Sequence, residues 1–413
     1  MNSCEQAPLK MPETITSDRT IVDILEIKEI LMDQAIQMDH ISVVDQLIRL
    51  GINLNADASH TTFLISAVKR GVSEIVNLLL SNGALVNTQD KNGWTALMYA
   101  VRYNHMTIMK DLLLYKADSC IATHVQETPL MRAVCERRYE MVDILLGCGA
   151  DPNRMNDHGQ TAISLAVCSR FTEIVDLLLH NGADPNVNEL WDYTILSRAA
   201  HDGLYPMAVL LLDHSADPNR KNPDSIGWTP LIAAIHQGHG KLAELLLSRG
   251  ARPNIPDNHG ITALMVACYS RNLEMLNILI QAGADMNAVS HEGVTALMMA
   301  VDGNCPNVVE RLLELGANVH LKTSNGETAL HAATLERYTT MIEILCRYGA
   351  TSMQDQSRTE KYSERHLNDM CSICLVNFEL DEPVSILPCH HNFHADCINM
   401  WGQTHQNCPL CRQ

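Results

Sequence analysis

Between residues 370 and 413 eight side chains able to hold a metal follow the spacing C-x2-C-x14-C-x-H-x2-H-x2-C-x10-C-x2-C. They are Cys371, Cys374, Cys389, His391, His394, Cys397, Cys408 and Cys411. Ligands paired across one or two intervening residues can be presented to one ion by a single turn of backbone. Four such pairs are what two tetrahedral zinc sites require. With four protein ligands each, both sites are closed and leave no position for a water molecule, so the expected role is structural rather than hydrolytic. His390 and His405 lie outside the pattern and are not expected to bind. A segment with so few apolar residues is expected to fold only with metal, zinc contributing on the order of 10 kcal/mol.

The pattern, with His at both the fourth and the fifth ligand positions, resembles the RING-H2 finger. The resemblance implies a small α+β cross-brace fold in which the ligand pairs interleave. One Zn2+ would then take Cys371, Cys374, His394 and Cys397, the other Cys389, His391, Cys408 and Cys411. RING fingers that recruit a ubiquitin-conjugating enzyme carry an apolar residue before the second ligand, an aromatic four residues after the sixth and Pro after the seventh. Ile373, Trp401 and Pro409 stand there. Many also carry a basic residue after the eighth ligand to bridge the donor ubiquitin, here Arg412. Arginine suits that task because its planar fork bonds two partners at once and keeps its charge. What the family implies is catalysis by orientation, with a charged enzyme held so that a substrate lysine attacks the thioester. All six cysteines of the segment belong to the ligand pattern, so no thioester-forming cysteine is expected.

The elements that must carry this finger form a repeat. Thr recurs at 62, 95, 128, 161, 194, 229, 262, 295 and 328, every interval being 33 residues except one of 35. Ala follows each Thr by five residues, from Ala67 to Ala333, and again by twenty-two, from Ala84 to Ala350. Ile75, Val76, Leu79 and Leu80 illustrate the apolar stripe of a second helix. The period, with Thr128-Pro129-Leu130 and Thr229-Pro230-Leu231, resembles the ankyrin repeat, a β-turn and two antiparallel helices. The resemblance spans residues 58–354 as about nine repeats of a mainly α solenoid. A degenerate repeat or cap at 21–57 would cover its open end.

Gly after each second helix should end it in the left-handed conformation. Lys116 and Ser215 replace two of these glycines, so strained or altered helix ends are expected there. Met98, Met131, Met265 and Met298 share one phase and read as core. Cys135 and Cys168 share another and read as buried helix residues. His105, His124 and His201 read as surface or turn residues. The two extra residues near Asn222–Ile226 should enlarge one turn. Residues 1–18 read as disordered, and 355–369 as a charged linker able to be helical.

A formal net charge of −18 disfavours nucleic-acid binding through the backbone. Absence of a long apolar run argues against membrane insertion, and together with reduced thiols it points to the cytoplasm or nucleus. In the ankyrin family the turn tips and first helices bind proteins; Trp94, Trp191 and Trp228 lie near those turns as candidate substrate anchors, or as rings that merely pack along them. The expected partners are thus a conjugating enzyme, ubiquitin and a protein substrate, with the RING working alone or as a dimer. The competing reading is a binding scaffold whose RING is structural or dimerising and not catalytic.

Overall fold

A computed structural model of the chain describes residues 17–55, 61–188, 193–350 and 358–361. In the finger it describes 370–371, 373, 376–377, 383–386, 392–394 and 397–398; side chains are described from residue 27 to 350 within those ranges, and only in part within the finger. Contacts divide the chain into two compact units, Met1–Asp184 and Pro185–Gln413.

The first unit opens with α1 (Ser17–Gln37) and α2 (Ile41–Arg49). Four helix pairs follow: α3 (Phe63–Arg70) with α4 (Ser73–Ser81), α5 (Ala96–Arg102) with α6 (Met106–Leu114), α7 (Pro129–Cys135) with α8 (Tyr139–Gly147), and α9 (Ala162–Cys168) with α10 (Thr172–His180). The second unit holds five more: α11 (Ile195–His201) with α12 (Tyr205–Asp213), α13 (Pro230–His236) with α14 (Gly240–Ser248), α15 (Ala263–Tyr269) with α16 (Leu273–Gln281), α17 (Ala296–Asp302) with α18 (Pro306–Glu314), and α19 (Ala329–Leu335) with α20 (Thr339–Arg347).

The recurring threonines explain where the first helices begin. Each is an N-cap whose hydroxyl accepts the backbone N–H three residues on, at 3.1–3.4 Å in all nine repeats. One orphan amide per helix is satisfied in this way, for about 1 kcal/mol each. The alanine five residues after each Thr is 0 % exposed in every copy, a position where a larger side chain would force neighbouring helices apart. Ile75, Val76, Leu79 and Leu80 are buried as the stripe predicts, and so are all four phased methionines.

Lys116 and Ser215 end their helices as glycine does, in the left-handed region at φ 63° and 68°. They therefore bear the strain that Gly83, at φ 91°, avoids. The turn between first and second helices repeats the theme with less glycine. Arg137, Arg170, Arg271 and Arg337 all adopt positive φ there, as do Asn104 and Asn304. The enlarged turn is present: Asn222 N–H reaches Trp228 O at 2.8 Å, six residues on, where Asp90 N–H reaches Trp94 O only four residues on. Asn258 of the next repeat donates to Asp224 O and Ser225 O at 3.3 Å and fills the loop.

Cys135 and Cys168 depart from the expectation of burial, because both are exposed. They are the last residues of α7 and α9, and among the described residues of the repeats the buried thiols are Cys268 and Cys305 instead. His105 is a turn residue, as expected, but its ring is packed inward: a Cβ on Gly71 would meet its Cε1 at 2.6 Å. Its Nε2 is buried with no hydrogen-bond partner among the described residues, and burial holds its pKa below the usual imidazole value.

An asparagine device that no local sequence rule signals links neighbouring repeats. In the first unit Asn55, Asn87 and Asn153 each accept, through Oδ1, the backbone N–H of Leu85, Asp118 and Asp184 at 2.8–2.9 Å. In the second unit Asn186, Asn219, Asn254 and Asn287 do the same toward Asp217, Arg252, Asp285 and Asn318 at 2.7–2.8 Å. Cys120 occupies the equivalent place once, and its thiol reaches Gly149 O at 3.8 Å.

The remaining elements are strands: β1 (Arg358–Lys361), β2 (Met370–Cys371), β3 (Val376–Asn377), β4 (Pro383–Ile386) and β5 (Asn392–His394). β4 pairs antiparallel with β1 on one side and β5 on the other, and β2 pairs antiparallel with β3. β1 lies in the segment expected to be a linker able to be helical; there it is extended and registers Arg358 opposite Ile386.

Candidate metal centre and partner face

The β2–β3 hairpin fixes Cys371 opposite Val376, with the turn passing through Ile373. The β4–β5 pair fixes His394 opposite Val384 at the end of its strand. Residues 397–398 then turn helically and bring Cys397 back. Val384, Phe393 and Ile398 are buried beneath, a core of three apolar side chains among the described residues. So small a core supplies little cohesion on its own, which is the situation in which a metal becomes the organising element.

Cys371, His394 and Cys397 converge, their ligand atoms all lying within 4.8 Å of one another. Cys397 Sγ stands 4.0 Å from His394 Nδ1. Donors around one tetrahedral zinc, bonded at about 2.0–2.3 Å, lie roughly 3.5 Å apart, so this set fits the ion with a slight contraction. Cys371 is fully buried, while His394 and Cys397 are half-buried. A hairpin residue thus meets two residues some twenty positions later. Ile373, a candidate contact for the conjugating enzyme, is half-buried in the adjoining turn. Cys374, Cys389, His391, Trp401, Cys408, Pro409, Cys411 and Arg412 lie outside the described residues, as does Trp191.

In the repeats the two described tryptophans are half-buried and packed along their turns. The Trp94 ring lies 5.0 Å from Tyr99, with Arg102 at 5.4 Å and Arg132 at 5.0 Å from its centroid. Trp228 lies 4.5 Å from His236. Tyr99 donates its hydroxyl to Asp90 Oδ2 at 2.7 Å, and burial followed by this bond raises its pKa above the usual phenol range. Tyr193 repeats the arrangement with Arg198 at 4.7 Å. An aromatic residue just before the capping Thr therefore stacks on side chains a few residues after it. The sequence signal is present in the spacing but weak, since Gln160 and Glu327 hold the same position elsewhere.

Family relationships agree with this geometry. A family model described as "Ankyrin repeats (3 copies)" matches in overlapping stretches at 17–90, 68–156, 108–189, 130–222, 196–290 and 264–356. The chain belongs to the ankyrin-repeat family. In this ankyrin-repeat protein a second model, "Ring finger domain", matches residues 369–412. The finger is accordingly a zinc-binding RING module, in keeping with the convergent Cys and His residues.

Similar curated proteins align over short stretches of the chain. RING-H2 finger protein ATL2 of Arabidopsis thaliana is 54% identical over 43 residues, 10% of this chain and 14% of that protein. RING-H2 finger protein ATL78 of the same organism is 40% identical over 67 residues, covering 16% of this chain and 31% of its own length. NEP1-interacting protein 2, also of Arabidopsis thaliana, is 52% identical over 46 residues, 11% of this chain and 19% of that protein. The ankyrin-repeat protein thus spans less than a third of each of these three relatives.

Proposed function

We propose that the protein is a RING-type ubiquitin ligase whose ankyrin repeats bind a protein substrate. The RING would recruit a ubiquitin-charged conjugating enzyme. The observation that carries the reading is the convergence of Cys371, His394 and Cys397 within a segment that matches the RING model, on a chain otherwise made of ankyrin repeats. Two structural Zn2+ ions would complete the finger, one on Cys371, Cys374, His394 and Cys397 and one on Cys389, His391, Cys408 and Cys411. Bound zinc supplies cohesion rather than reaction chemistry.

Ile373, Trp401 and Pro409 would seat the conjugating enzyme, and Arg412 would hold the donor ubiquitin against it. A substrate lysine amine then attacks the thioester carbonyl, the isopeptide bond forms and the enzyme's cysteine leaves as thiol. The ligase contributes position, which is worth several kcal/mol in such transfers. No helix among the described residues is long and apolar enough to cross a membrane. We place the activity in the cytoplasm or nucleus.

The test is reconstituted transfer with activating enzyme, a panel of conjugating enzymes and zinc-loaded full chain. Wild type should discharge at least one conjugating enzyme onto free lysine. Ile373→Ala and Arg412→Ala should each lower the rate about tenfold or more at unchanged zinc content. Lack of discharge across the panel with the finger folded would favour a scaffold with a non-catalytic RING.

A further inference from the structure

Charge in the first unit is sorted by helix. The first helices α3, α5, α7 and α9 carry Lys69, Arg70, Arg102 and Arg132 and no carboxylate. Their partners α4, α6, α8 and α10 carry Glu74, Asp111, Glu140, Asp143, Glu173 and Asp176 against a single Lys110. In the second unit the first helices hold only Arg198 and Asp302. A chain of net charge −18 has therefore gathered cations on one set of helices in one unit.

Two of the four cations are already neutralised. Arg70 pairs with Asp39 at 2.8 Å, and Arg132 with Glu127 at 2.7 Å. Lys69 and Arg102 make no ion pair among the described residues; each lies on an aromatic face instead. Lys69 Nζ is 4.2 Å from the Tyr99 centroid, Arg102 is 5.4 Å from the Trp94 centroid, and those two rings are 5.0 Å apart. Asp90, the carboxylate within this cluster, is fully engaged. Its Oδ1 accepts the N–H groups of Asn92 and Trp94 at 2.9 Å, and its Oδ2 accepts the Tyr99 hydroxyl at 2.7 Å.

From this arrangement we infer that the Lys69–Tyr99–Trp94–Arg102 cluster is a docking surface for an acidic, extended segment of the protein substrate. The inference rests on the ligase reading for the word substrate, and on the cluster alone for the chemistry. A cation stacked on a ring keeps its N–H edges open, and a guanidinium so held can take a carboxylate in bidentate fashion. The sign of the site selects acidic over basic peptides, because Lys69 and Arg102 together outweigh Asp90 and a second cation here would meet net positive charge. A nucleic acid would find on these first helices only Lys69 and Arg102 without a carboxylate partner among the described residues, too short a run to release many counterions.

The probe is a fluorescein-labelled peptide of alternating Glu and Gly-Ser, read by anisotropy against the zinc-loaded full chain, with Lys-substituted and uncharged peptides of equal length beside it. The acidic peptide should bind, and the affinity should fall with added salt. Lys69→Glu and Arg102→Glu should each weaken it about tenfold or more, while Lys110→Glu on a second helix leaves it unchanged. Failure of the acidic peptide to bind, equal binding by the reversed variants, or tighter binding of single-stranded RNA at the same salt would overturn the inference. Circular dichroism of each variant guards against unfolding. Discharge of the conjugating enzyme onto free lysine is measured in parallel. Discharge without peptide binding sinks the docking site alone, and peptide binding without discharge sinks the ligase reading alone.

Discussion

The repeats and the finger reach order by opposite routes. In the repeats the same few contacts are made nine times, each worth about 1 kcal/mol at a cap and somewhat more at a buried leucine. No single residue decides the outcome, and substitutions such as Lys116 or Ser215 for a helix-ending glycine are absorbed. The finger has a described core of Val384, Phe393 and Ile398 and a cluster of convergent donors, so its cohesion is concentrated at the metal. Redundancy tolerates drift, whereas concentration demands particular residues. That difference accounts for a chain in which repeat signatures are degraded while eight Cys and His residues of the finger stand at RING spacing.

Removing the metal should separate the two regions most sharply. A strong chelator is expected to unfold the finger, a loss on the order of 10 kcal/mol, and to leave the helical signal of the repeats almost unchanged. Circular dichroism with a zinc-release dye would read both, and a collapse of helicity in step with zinc loss would contradict the comparison. Next in size is a core truncation. Leu79→Ala, at a fully buried position, should cost about 3 kcal/mol in urea denaturation while zinc content holds.

What the amino-acid sequence makes legible follows the same division. Nine threonines at constant phase announce the helix starts, because a cap is a local event with a strong residue preference. The Thr295→Ala substitution should accordingly cost about 1 kcal/mol, measured by denaturant midpoint. The left-handed turns between paired helices are illegible, since Arg137, Arg170, Arg271 and Arg337 stand where glycine would have announced them. The asparagines are in plain view as a recurrence, but their bonds reach some thirty residues ahead and no local rule points so far. Strand β1 reads Arg-Thr-Glu-Lys and carries no alternating apolar signal, so nothing in it foretells the pairing with β4. Cys135 and Cys168 mislead because a shared phase establishes equivalence and says nothing of which side faces in.

The smallest expected effect is a pH dependence confined to the first unit. The folded state holds the His105 pKa below that of the unfolded chain. The unfolded state therefore binds the proton first as pH falls, and stability is lost from about pH 6.5 downward toward the depressed folded value. His105→Asn should flatten this part of the profile, and an unaltered slope would remove the histidine from the account.

The asparagine bonds between repeats point one way along the chain, each side chain waiting for an amide that belongs to the following repeat. Cutting either unit's repeats at such a boundary therefore strands one carboxamide, whichever boundary is chosen. Length becomes an adjustable quantity, since genes can add or drop whole modules without redesigning the rest. The join at Cys120 is the exception, a seam with a weaker fastening, where Cys120→Asn would supply the missing stitch.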